Sequence, residues 1–168
     1  MFSLTSRDRV LLNKAFCTYV HPILEYCSPV WSPHFKYLIT KIEHVQRYFT
    51  KRLKGCWNMP YEQRLNTLCL ESLEHRRLVT DLTVVYQILH GHCDTQLDAT
   101  FCIIDNSRTR GHAYKLLKPH CTTDATKYFF SNRVTSTCNN LPDMVVHSST
   151  LSTFKRHLSV LDLSCHSQ

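Results

Sequence analysis

The chain has 168 residues, 43% apolar and 11% aromatic. That is enough to bury the core of one domain and excludes disorder as the default reading. Its formal charge of +7 at pH 7 favours an anionic partner such as nucleic acid, and no run of it approaches the roughly 18 apolar residues of a membrane span.

The opening MFSLTSRDRV has no apolar stretch of the signal-peptide kind, so an intracellular chain, nuclear or cytoplasmic, with no membrane partner is expected. Nine cysteines without a CxxC argue for reduced, mostly buried thiols. HGHC at 90–93 gathers His90, His92 and Cys93, but a structural zinc site wants a second closely spaced pair, and none stands at finger spacing.

In chain order, Thr5 and Asp8 form a helix start signal, and Leu12, Phe16, Tyr19 and Ile23 recur at helical spacing. Pro22 should kink or end that helix, and Pro29 and Pro33 in EYCSPVWSP force an extended turn carrying Trp31. From Phe35 to Lys54, an apolar stripe of Leu38, Ile42, Val45, Phe49 and Leu53 lies opposite a basic one of His44, Arg47, Lys51 and Lys54. Gly55 is a natural stop, and PYEQRL reads as a short helix with Pro60 near its first turn.

Ser72 is the expected N-cap of a helix with Leu78, Leu82, Val85 and Leu89 on one face, ended by Gly91. TFCII and the dodecamer RTRGHAYKLLKP suggest a small β-hairpin near residues 100–118. A helix is expected from Asp124 to about Asn139, with Phe130, Val134 and Cys138 four apart, and a last one with Leu151, Phe154, Leu158 and Leu161 on one face. Phe129, Phe130, Phe154 and Leu158 are assigned to the core. The fold expected is mainly α: a helical bundle, thumb-like over 1–91, followed by a C-terminal region over 92–168, the two packing either separately or as one domain.

The chemistry-bearing residues are scattered. Metal-dependent polymerases and nucleases need clustered carboxylates, whereas here the acidic residues stand singly or apart. There is no G-x-S-x-G elbow, and His120 beside Cys121 is adjacency alone. No catalytic residue, metal site or cofactor is therefore expected.

Seven landmarks run in order: EYCSPVWSPH (25–34), IEHVQRYFTKRL (42–53), YEQRLNTLCLESLEHRRLVTDLTVVYQILHG (61–91), SRTRGHAYKLLKP (107–119), KYFFSNRV (127–134), NNLPDMVV (139–146) and LSTFKRHL (151–158). Together they resemble reverse transcriptases of non-LTR retrotransposons of the LINE type, jockey and chicken-repeat-like clades, in the region that follows the catalytic palm. The resemblance implies an RNA-directed DNA polymerase whose catalytic aspartates, including a Tyr-x-Asp-Asp turn, lie upstream of the first landmark, so that this chain alone is not an enzyme. It implies a truncated C-terminal part of such an enzyme, with thumb-like helices that hold RNA or an RNA–DNA duplex by the backbone; service as a thumb to a polymerase palm in trans is a separate reading. The chain departs from the family's pattern at Cys138, where a tryptophan is usual, and at Cys56 and Trp57.

The candidate nucleic-acid contacts are His44, Arg47, Lys51 and Lys54 on the 35–54 helix, the pair Arg76 and Arg77, and Arg108, Arg110, Lys115 and Lys118 around Gly111. Each has a plain counterpart. The helix face is either a phosphate-contacting surface or an ordinary solvated one, and Arg108 and Arg110 either meet phosphate or pair internally, with Asp105 for example. Tyr26 and Trp31 either stack on bases or, as is commoner for aromatics beside prolines, pack a turn against the core. The alternative for the whole chain is a structural or protein-interaction module, domesticated or without selected function.

Overall fold

The computed structural model describes residues 8–93, 101–104 and 112–161, and these are mainly helical. The chain forms two compact units, Met1–Arg77 and Leu78–Gln168. The sequence reading puts a seam near residue 92. The observed division comes earlier, inside a continuous helix, because from Leu78 onward that helix's side chains join the second unit's core.

In the first unit, α1 (Arg9–Ala15) opens with Asp8 as N-cap, its carboxylate accepting from the Val10 N–H at 3.0 Å. A π-helical turn, Phe16–Val20, follows and leads into α2 (His21–Glu25). Pro22 does not end the helix. The wider turn absorbs it, with the His21 N–H donating to the Phe16 carbonyl. One extra residue in a turn rotates the rest of the helix by about 100°, so Phe16 and His21 are buried while Tyr19 and Ile23, expected inward, are 71% and 76% exposed.

Next come α3 (Ser28–Trp31), α4 (Lys36–Lys51) and α5 (Tyr61–Leu68), with Gly55 in the left-handed region at φ +83° in the turn after α4. Trp31 and Tyr26 do not pack into the core as expected. Both are exposed, and the Trp31 indole N–H is satisfied by the Tyr26 carbonyl next to it. The apolar core of this unit is small, comprising Leu53, Cys56 and Leu68 with Leu12, Phe49 and Leu70 against it. Phe16 stacks on Phe49 at 4.1 Å. The helix α6 (Leu73–Leu89) starts at the end of the unit, with Ser72 Oγ accepting from the His75 N–H at 3.2 Å.

The second unit holds the rest of α6, then α7 (Asp124–Lys127), α8 (Phe130–Asn139), α9 (Asp143–Val146) and α10 (Leu151–Val160). Its core joins Leu82, Val85 and Tyr86 of α6 to Val134, Phe154 and Leu158. The helix expected over 124–139 breaks at Tyr128 and Phe129, and Phe129 becomes the extended N-cap position of α8. That corrects its assignment to the core: it is 62% exposed. Cys138 is itself a core residue, 3% exposed, its thiol pushed up to about 12 by burial.

Of the expected hairpin, the described residues show one antiparallel bridge, Ile103 with Leu116, made by Ile104 N–H to Lys115 O and Leu117 N–H to Cys102 O, both 2.8 Å. The Asn139 side chain extends it, accepting from the Leu116 N–H and donating to the Leu116 carbonyl, each at 2.8 Å. A bidentate ion pair from Arg133 to Asp81, 3.0 and 3.1 Å, ties α8 to α6. Asn139→Ala should strand both backbone groups of Leu116 and cost about 2 kcal/mol. A lowered urea midpoint is expected, and an unchanged one would show that the bridge contributes nothing to the unit's stability.

Candidate nucleic-acid interface

The fully buried residues of α4 are polar. Glu43, Gln46 and Thr50 are buried at spacings of three and four, so they share one face of the helix. The Glu43 carboxylate accepts from the Leu73 N–H, at 3.0 and 3.3 Å to its two oxygens, and so caps the start of α6; it also accepts from the Tyr61 hydroxyl. The Gln46 amide donates to the Tyr61 oxygen at 3.1 Å and to the Glu71 carbonyl at 2.8 Å, and its Oε1 meets His21 Nε2 at 2.8 Å. Arg64 donates to the Arg47 carbonyl at 2.9 Å and to Thr50 Oγ1 at 3.1 Å. Burial pushes the Tyr61 hydroxyl above its ordinary value of 10.0, and the Glu43 hydrogen bond and charge add to the rise.

This network sets the rotation of α4. At 3.6 residues per turn the inward face, counting the half-buried Leu38, Ile39, Ile42 and Phe49 with the three buried residues, centres near Gln46, about 60° away from the middle of the apolar stripe that periodicity singles out. Val45, expected inward, is 39% exposed. The outward face therefore centres on Tyr37 and Tyr48, 59% and 51% exposed, with Lys41, His44, Lys51 and Arg52 around them. Cations and rings are interleaved: Lys41 Nζ lies 5.7 Å from the Tyr37 centroid and Arg52 Cζ 3.8 Å from that of Tyr48.

His44, Arg47, Lys51 and Lys54 are all exposed, as a binding face requires. Arg47, however, stacks on the Tyr61 ring at 4.3 Å and lines a cleft of about 500 Å³ together with the carboxylates of Glu62, Glu71 and Glu74. Phosphate is disfavoured on that flank, so an anion approaching α4 would be favoured on the side of Lys41, Lys51 and Arg52. Between residues 36 and 54 the one carboxylate is Glu43, which is buried.

The other candidates fare differently. Arg76 is engaged by Glu25 in a two-pronged ion pair, its NH2 at 2.9 Å from Oε2, and Arg77 is 2% exposed; neither is a surface cation of the kind expected. Arg108 and Arg110 lie outside the described residues. Lys115 is half-buried, and Lys118 is exposed with its ammonium donating to Ser136 Oγ at 2.7 Å. His112 of the same stretch is fully buried, its Nε2 3.0 Å from the Cys138 carbonyl. Two features escape the sequence reading, the aromatic centre of the α4 face and Arg52. Tyr37, Tyr48 and Arg52 do recur at helical spacing, and that spacing is the signal that points to them. Among the described residues no group of three or more His, Cys, Asp or Glu is placed to hold a metal ion, and no helix is long and apolar enough to cross a membrane.

No protein-family profile matches the chain, and no solved structure matches it. Over 84 residues it is 31% identical to the uncharacterized protein B0403.1 of Caenorhabditis elegans, a match that takes in 48% of this chain and 42% of that protein. The chain thus spans less than half of that relative's length.

With its pKa raised, Tyr61 keeps its proton in the folded state while the unfolded chain loses it above pH 10, so its stabilising contribution is complete below about pH 10 and falls as pH rises further. Urea midpoints of the wild type and Tyr61→Phe measured from about pH 8 to 11 should converge as the pH climbs. Parallel curves would show that Tyr61 has no such linkage.

Proposed function

We propose that the chain is the thumb and following segment of a LINE-type reverse transcriptase. In this reading it holds RNA or an RNA–DNA duplex by the backbone without reading its sequence, and a palm supplied in trans provides the polymerase chemistry. The observation that carries the reading is the α4 face away from Arg47: Lys36, Lys41, Lys51, Arg52 and Lys54 are exposed along one short stretch with no exposed carboxylate among them. Such a one-signed surface suits a polyanion, since each neutralised phosphate releases condensed counterions.

The seven sequence landmarks add to it. Residues from two of them meet in the second unit, Leu116 from 107–119 being held by Asn139 from 139–146, while His112 of the first meets the Cys138 carbonyl just before the second. The RTRGHAYKLLKP stretch is to that extent a structural element, its histidine buried and its Leu116 clamped.

A second reading, a protein-interaction module, draws on the apolar exposure of α2 and α3. Ile23, Tyr26 and Val30 are 76%, 75% and 84% exposed, more than scattered surface apolar residues require.

Fluorescence anisotropy with an RNA–DNA duplex separates the two. Binding should weaken steeply between about 50 and 200 mM salt, and Lys41→Glu/Lys51→Glu should lower the log–log salt slope by roughly 2. A wild type that fails to bind duplex or single strands at about 50 mM salt would overturn the nucleic-acid reading.

A further inference from the structure

We infer that the exposed face of α4 takes unpaired nucleotides, with Tyr37 and Tyr48 as base-stacking platforms. The inference rests on the nucleic-acid reading above and adds which state of the strand is bound. Gripping a duplex needs charge and shape alone, and the rings on this face go beyond that requirement. Tyr37 and Tyr48 stand at the middle of the outward face, 59% and 51% exposed, directly opposite the buried Gln46. A duplex presents sugars and phosphates to such a face, whereas a single strand presents flat bases that any ring can cover.

The neighbours of the rings fit the same occupant. The His44 ring is stacked with Tyr48 at 6.2 Å and 28°, and the Arg52 guanidinium lies over the same tyrosine at 3.8 Å. Three planar groups thus succeed one another along the helix at spacings of four residues, each a surface on which a base can lie. At the other end Lys41 lies over Tyr37, and Phe35, 52% exposed, lies 5.7 Å from it. Tyr37 and Tyr48 stand eleven positions apart, about 16 Å along the helix axis, roughly the length of five stacked nucleotides. Cations flank both rings, so phosphates on either side of a stacked base meet positive charge. An apolar protein partner would instead have to desolvate those cations.

The test uses the full chain and three probes: an oligouridine of about a dozen nucleotides, an abasic strand of the same length and backbone, and an RNA–DNA duplex. The wild type should bind oligouridine about 10- to 100-fold more tightly than the abasic strand. Tyr37→Leu/Tyr48→Leu should erase that preference and weaken oligouridine binding far more than duplex binding, whereas Tyr37→Phe/Tyr48→Phe, which keeps the rings, should retain it. Lys41→Glu/Lys51→Glu should weaken all three.

Equal wild-type affinity for oligouridine and the abasic strand would overturn the stacking inference and leave backbone binding standing. So would a leucine variant that loses duplex and single strand alike. Binding to none of the three at about 50 mM salt would overturn both readings, and polyglutamate bound as tightly as oligouridine would assign the face to an acidic protein instead.

Discussion

The first unit depends on a carboxylate placed where an apolar side chain would be cheaper. Glu43 sits 6% exposed at the start of α6, receiving the Leu73 N–H and the Tyr61 hydroxyl. Burying a carboxylate is unfavourable unless its oxygens are satisfied, and here a helix N-terminus and a phenol satisfy them, the first with the favourable end of its dipole. Gln46 then uses both ends of its amide, and Arg64 closes the row by holding the Arg47 carbonyl and Thr50. Directional bonds of this kind tolerate little rotation. They fix which side of α4 is inside, and so which rings and cations reach water.

That constraint matters more here than in a unit with a large core. Leu53, Cys56 and Leu68 with their neighbours are few, and apolar contact is non-directional. A helix held by such a patch alone could roll, whereas one held by Glu43, Gln46 and Thr50 has one rotation that satisfies every partner. The second unit works differently. Its apolar core is extensive, and polar groups serve as clasps at its edges: Asp81 with Arg133 across α6 and α8, and Asn139 on the backbone of Leu116. The left-over surface is accordingly more ordinary there, with Lys115 and Lys118 partly engaged.

Much of the helical plan was legible because its signals are local. Asp8 and Ser72 cap where their types suggest, Gly55 and Gly91 adopt positive φ after helices, and Leu82, Val85, Phe154 and Leu158 are buried as their spacing implies. The orientation of α4 was legible only to within about 60°, because Glu43, Gln46 and Thr50 are inside by virtue of partners at 21, 61, 64, 71 and 73 that no local window contains. The same cause engages Arg76, whose appearance in a basic pair says nothing of Glu25, fifty-one positions away, and its neighbour Arg77 is buried. The π-turn before Pro22 and the break at Phe129 each shift a helical phase by part of a turn, which periodicity read across the break cannot register.

The central claim is that nucleic acid lies on the outward face of α4. Photocrosslinking of a thiouridine-bearing oligonucleotide to the full chain, with mass spectrometry of the resulting peptides, tests it most directly. Crosslinks concentrated in residues 36–54, at Tyr37 and Tyr48 above all, are the predicted result. Crosslinks confined to the second unit, or to the acidic flank near Glu62 and Glu74, would contradict it.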